Sequence, residues 1–154
     1  MNKALVLACG NLQRGDDGAA LQVLNFMRKG RCDSATEFRF QQQWTPELAE
    51  PISQAEIVIF VDAATGTSPG AIACRPLQPS PAAPLRSTHY TSPESLLLLA
   101  HELYGKRPPR AYFVTITGAS FEFEEALSDA VRRAVPRAGG RIEALLRGDT
   151  VAED

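Results

Sequence analysis

Apolar runs of strand length and apolar repeats of helical period alternate along most of this chain. Lys3-Ala-Leu-Val-Leu-Ala8 is a continuous apolar run after its first residue rather than an alternating one, as expected for a strand covered on both faces in a parallel sheet. After the Gly/Asn/Asp-rich segment from Gly10 to Gly18, apolar residues at Ala20, Leu21, Val23, Leu24 and Met27 recur at helical spacing, and Gly30 supplies a stop. Together they predict a β-loop-α unit. A second strand is expected over Ala35 to Gln41. Thr45-Pro46-Glu47 has a helix-start signature, with Thr as cap and Pro in the first turn.

Glu56-Ile-Val-Ile-Phe-Val-Asp62 is the clearest strand, a β-branched run that ends abruptly in an acid. Ala71 to Arg75 reads as a further short strand. Pro76, Pro79, Pro81 and Pro84 then keep the chain extended, because each lacks a backbone donor. Ser92-Pro93-Glu94 caps a helix through Leu103, and Ala111 to Thr117 reads as the last interior strand before Gly118. In the tail, Ser128 is expected to cap one short helix. Pro136 is expected to start another, since a mid-helix proline costs about 3 kcal/mol.

This alternation predicts an α/β fold: a three-layer sandwich with a mostly parallel central sheet and helices on both faces. Ligands in such folds sit beyond the carboxyl ends of the strands, where the loop from Cys9 to Asp17 and the loop at Asp62 should lie side by side. The 154 residues, 44% of them hydrophobic, suit one compact domain over residues 1–154.

Charge narrows the choice of partner. The formal net charge of −2 provides no field to draw the molecule to nucleic acid or an anionic membrane. The C-terminal arginines Arg132, Arg133, Arg137, Arg141 and Arg147 alternate with apolar residues and acids, as on a solvated helix face. The apolar run near the N-terminus is too brief for a signal peptide, and no stretch approaches the ~20 apolar residues of a membrane span. A cytoplasmic protein is expected. Cys9, Cys32 and Cys74 are far apart and form no C-x-x-C motif, which argues for reduced core thiols rather than disulfides or a cysteine zinc site.

The segment Cys9-Gly-Asn-Leu-Gln-Arg-Gly-Asp-Asp-Gly18 stands where nucleotide-binding folds carry their phosphate loop. Gly10 and Gly15 have P-loop spacing, but Asp16 and Asp17 follow in place of Lys and Ser/Thr, and two carboxylates repel a phosphate. The dinucleotide fingerprint fails as well, because Ala8 occupies its first glycine position. A cationic ligand fits better. Capping of the following helix accounts for Asp16 and Asp17 alone, but not for a further acid, Asp62, closing the best strand beside the same crevice. His89 lies just before the Ser92 cap, whereas His101 falls inside an apolar helix, where a structural role is expected. Asp17, Asp62 and His89 form a hard-to-borderline set suited to nickel or zinc with open positions. No H-E-x-x-H, G-x-S-x-G or triad pattern marks a nucleophile.

In order, Leu-Val-Leu-Ala-Cys-Gly-Asn, Arg-Gly-Asp-Asp-Gly, Val-Asp-Ala, Ser-Thr-His and Thr-Ile-Thr-Gly resemble the hydrogenase maturation protease family over about residues 3–147. The resemblance implies an α/β sandwich and an endopeptidase that removes a C-terminal extension from a nickel–iron hydrogenase large-subunit precursor. It matches the family's metal-contacting residues to Asp17, Asp62 and His89. It also implies that the nickel is carried by the substrate. The cleavage chemistry is open between a metal-polarised carbonyl, a metal-activated water and base catalysis by a cleft carboxylate such as Asp16. One rival reading is a nickel-dependent binding protein or chaperone that holds the immature subunit without cutting it. Another is a flavodoxin-like nucleotide binder.

Overall fold

A computed structural model describes residues 4–30, 35–81 and 91–149. Its centre is a five-stranded sheet of order β2-β1-β3-β5-β4. The strands are β1 (Ala4–Cys9), β2 (Thr36–Gln41), β3 (Ile57–Ala64), β4 (Ile72–Pro76) and β5 (Arg110–Thr117). β1 pairs in parallel with β2 and β3, and β3 with β5, while β4 runs antiparallel along the β5 edge. Strand β1 therefore lies inside the sheet, buried along its whole length. Its sequence shows an unbroken apolar run rather than an alternating one for that reason.

Side-chain alternation sends neighbouring residues of each strand to opposite layers. Val6, Ala8, Ile59, Val61, Val114 and Ile116 face helices α1 (Ala19–Lys29) and α4 (Asp129–Leu146). Leu5, Leu7, Val58 and Phe60 face α2 (Ala49–Gln54) and α3 (Pro93–Tyr104). The fold is the three-layer sandwich expected from the pattern. The start of α3 is the expected Ser92 cap, completed by Ser95, whose hydroxyl accepts from the Ser92 N–H in return. Thr45 begins its helix differently. Its side chain makes no cap, and Pro46–Leu48 form a 3-10 turn before α2.

The tail departs from expectation. Pro136 lies inside one continuous helix, α4, rather than between two short ones. Proline leaves the carbonyl four residues earlier, that of Arg132, without its helical donor. Pro136 and Arg132 both lie on the exposed face, where water can serve that carbonyl. The buried stripe Val131, Ala134, Val135, Ala138, Ile142 and Leu145 runs through on the other face, and its burial outweighs the local cost. Pro136→Ala should therefore stabilise the protein by about 1–2 kcal/mol, the helix gain less the lost rigidity of the unfolded chain. Thermal melts should show a rise of roughly 2–6 °C, and an unchanged or lower midpoint would contradict this account. No helix among the described residues is long and apolar enough to cross a membrane.

Candidate functional site

The strand order reverses between β1 and β3, which leaves a crevice beyond their carboxyl ends. The parallel register pairs Ala8 with Val61, so Cys9 and Asp62 come next at that end of the sheet. Asp62 shares the parity of Val58 and Phe60 and so lies on the α2–α3 side, partly buried. One of its oxygens, Oδ1, accepts the N–H of Ala63 at 2.8 Å. Asp17 reaches the crevice from the 3-10 turn Gly15–Gly18, which links β1 to α1. Its Oδ2 accepts the N–H of Asn11 at 2.7 Å. Each carboxylate thus has one oxygen fixed by main chain, and the other oxygen has no protein partner among the described residues.

The electrostatics of the crevice follow from burial and like charge. Burial pushes the Asp62 carboxyl up, the Ala63 N–H opposes it, and the nearby Asp17 charge adds to the rise, to about 7. Burial likewise pushes the Cys9 thiol to about 12, helped by Asp62 and then Asp17, against a bond from the Trp44 main chain. At neutral pH Cys9 is therefore a protonated, buried thiol. Trp44 packs edge-on against Phe60 at 5.4 Å.

Asp16 takes a different position from its neighbour. It is 1% exposed, and its carboxylate accepts four hydrogen bonds. They come from the N–H groups of Ala119 (2.7 Å), Ser120 (3.1 Å) and Ser128 (2.7 Å) and from the Ser128 hydroxyl (2.9 Å). Burial alone would raise its pKa, but these donors, with the Ser128 N–H foremost, hold it below the usual carboxylate range. Neither Asp16 nor Asp17 caps α1, whose N-cap is Gly18. Asp16 instead sits at the N-terminus of α4, where Ser128 is the N-cap and the helix dipole favours an anion. A general base needs a lone pair facing its substrate. Asp16 has its oxygens turned to donors of the 118–128 segment, an anchoring arrangement.

The structure thus brings Asp17 and Asp62 to one crevice and draws Asp16 behind it. His89 lies outside the described residues. Among the described residues no group of three or more His, Cys, Asp or Glu stands close enough to hold a metal ion. His101 is exposed on α3 and bonds to the Lys106 carbonyl at 2.8 Å. Sequence reasoning missed Asn11, whose main-chain N–H orients Asp17. It also missed the reach of Ser128, which is at once the cap of α4 and a partner of Asp16.

No protein-family model matches the chain, and no curated protein matches it in sequence. Solved structures do match in fold. The hydrogenase maturating endopeptidase HybD from E. coli superposes with a TM-score of 0.76 at 20% identity, over 96% of this chain and 93% of that one. The [NiFe] hydrogenase maturation protease HybD from Thermococcus kodakarensis matches with a TM-score of 0.72 at 23% identity, over 94% and 99%. A hydrogenase 2 maturation peptidase from Thaumarchaeota archaeon SCGC_AB-539-E09 matches at 0.70 and 21%, over 94% and 98%. At such identities the likeness establishes a common fold along nearly the full length of both chains.

Proposed function

We propose that this chain is a cytoplasmic processing endopeptidase that removes a C-terminal extension from a nickel-loaded hydrogenase large-subunit precursor. The observation that carries the reading is the pair of carboxylates in one crevice, with Asp62 raised to about 7 by burial and by Asp17. Two partly buried like charges are costly alone and favourable around a cation. The oxygen donors suit a divalent metal with open positions, as one presented by a substrate would have. The likeness in fold to maturation endopeptidases supports the same reading.

In this reading Asp17 and Asp62 turn their unengaged oxygens to the nickel carried by the precursor. As the cation arrives, Asp62 loses the proton that burial had favoured. His89, the third residue of the resemblance, supplies a neutral imidazole. Recognition of the metal sets the peptide bond beside the crevice, and a substrate without metal leaves the two acids opposed.

Mass measurement of the precursor after incubation tests the proposal. The extension should be lost from nickel-loaded precursor and kept on the apo form. Brisk cleavage of the apo form would refute metal reading. A nickel-dependent complex with no change in mass would identify a non-cleaving binder of the immature subunit.

A further inference from the structure

We propose that Asp16 is the positioning residue of the crevice: its buried carboxylate bolts the 118–128 segment to the turn that carries Asp17, and thereby sets where the Asp17 carboxylate points. The functional consequence rests on the reading of the site given above. The bolt itself is geometric.

The turn Gly15–Gly18 is held from outside by one segment. The Gly15 N–H donates to the Glu124 carbonyl at 2.7 Å and the Asp16 N–H to the Ser120 carbonyl at 2.9 Å. The Asp16 side chain returns the contact through the N–H groups of Ala119, Ser120 and Ser128 and the Ser128 hydroxyl. The two segments thus exchange hydrogen bonds in both directions. The close fit extends to carbon. A Cβ on Gly118 would stand 2.9 Å from the Asp16 Cβ, and one on Gly15, itself at φ 54°, would meet the Ser120 carbonyl at 2.7 Å. Only glycines allow this approach.

Three parts of the fold meet at that carboxylate: the loop after β1, the loop after β5 and the N-terminus of α4. Asp17 follows directly in the chain, with its N–H on the Arg14 carbonyl and its Oδ2 on the Asn11 N–H. Loosening Asp16 frees the turn to rotate and takes the Asp17 carboxylate off Asn11. An amide at position 16 cannot replace the carboxylate. Its NH2 group would face N–H donors that both oxygens now satisfy.

The Asn11 amide hydrogen is therefore a reporter of Asp17 placement, one that Asp16 does not touch. The test compares amide hydrogen exchange by NMR in wild type, Asp16→Asn and Ile142→Ala. The last variant destabilises the buried far half of α4, away from the 118–128 segment. All are measured well below their melting temperatures, together with cleavage of nickel-loaded precursor. Asp16→Asn should speed exchange at Ala119, Ser120 and Ser128 and also at Asn11 by about 10-fold or more, and lower kcat/KM by a similar factor. Ile142→Ala should leave Asn11 and kcat/KM near wild type. If Asn11 keeps its protection in Asp16→Asn, or if Ile142→Ala loses as much, the positioning role is overturned whether or not the protein cuts. If wild type leaves the nickel-loaded precursor intact, the protease reading fails on its own, and the Asn11 result still decides the bolt.

Discussion

Asp62→Asn should lower processing of nickel-loaded precursor by about 100-fold while leaving the protein as stable as wild type or more so. Removing one charge from a close charge–cation contact costs about 3 kcal/mol, which is a factor of about 100 in kcat/KM. The stability effect has the opposite sign. The folded-state pKa of about 7 lies above the carboxyl's ordinary value of 3.8, so between these values the native state holds a proton that the unfolded chain has released. Stability contributed by this group is fully present below pH ~4 and is lost as pH rises through about 7. The neutral amide of the Asp62→Asn variant avoids that loss. One pKa unit is worth about 1.36 kcal/mol, which sets a ceiling of about 4 kcal/mol, and the solvent access of Asp62 reduces the expected gain to about 1–2 kcal/mol. Wild type and variant should melt together near pH 4 and diverge toward pH 8, with the variant roughly 2–6 °C higher. A variant that melts normally and cuts at the wild-type rate would remove Asp62 from metal recognition. A variant less stable at pH 8 would show that its carboxylate is held by partners rather than strained by burial.

Much of the fold was legible in the sequence because strand burial writes itself as composition. The runs Ala4–Cys9 and Ile57–Val61 are apolar throughout because both faces are covered, and the acid that ends the second run, Asp62, marks where the sheet meets solvent. The parity of Asp62 and the adjacency of β1 and β3 then follow from topology alone. Two features were not legible. The continuity of α4 through Pro136 depends on which face Pro136 occupies, and local propensity carries no information about that when a stripe from Val131 to Leu145 is buried on the other side. The division of labour between Asp16 and Asp17 was hidden as well. Both read as crevice acids or caps, and only a contact more than 100 residues away in the chain, between Asp16 and Ser128, separates the anchored carboxylate from the available one. A single sequence records the residue types on either side of such a contact, but not the contact.

Gly10→Ala should destabilise the protein by about 3 kcal/mol, at the upper end of the cost of overpacking, and disable the crevice in the same stroke. Gly10 follows β1 directly, and a Cβ there would run into the main-chain carbonyl oxygen of Asp17 and come within 3.1 Å of its carbonyl carbon. The obstacle is backbone, so no side-chain rotation relieves it. Two escapes exist. The end of β1 can lift from β2, breaking the bond from the Gly10 N–H to the Gln41 carbonyl at 3.1 Å, or the turn can swing outward. The second escape moves Asp17 off the Asn11 N–H, and with it one of the two acids proposed to receive the metal. A fall in melting temperature of roughly 6–12 °C is expected, with precursor cleavage reduced at temperatures where the variant is still folded. Gly140→Ala is the natural control. That glycine lies in α4 with nothing within 4 Å of a built Cβ, so alanine should stabilise the helix by about 0.5–1 kcal/mol and leave cleavage unchanged. Should Gly10→Ala melt and cut like wild type, the close approach of the β1 end to Asp17 would not be what shapes the crevice.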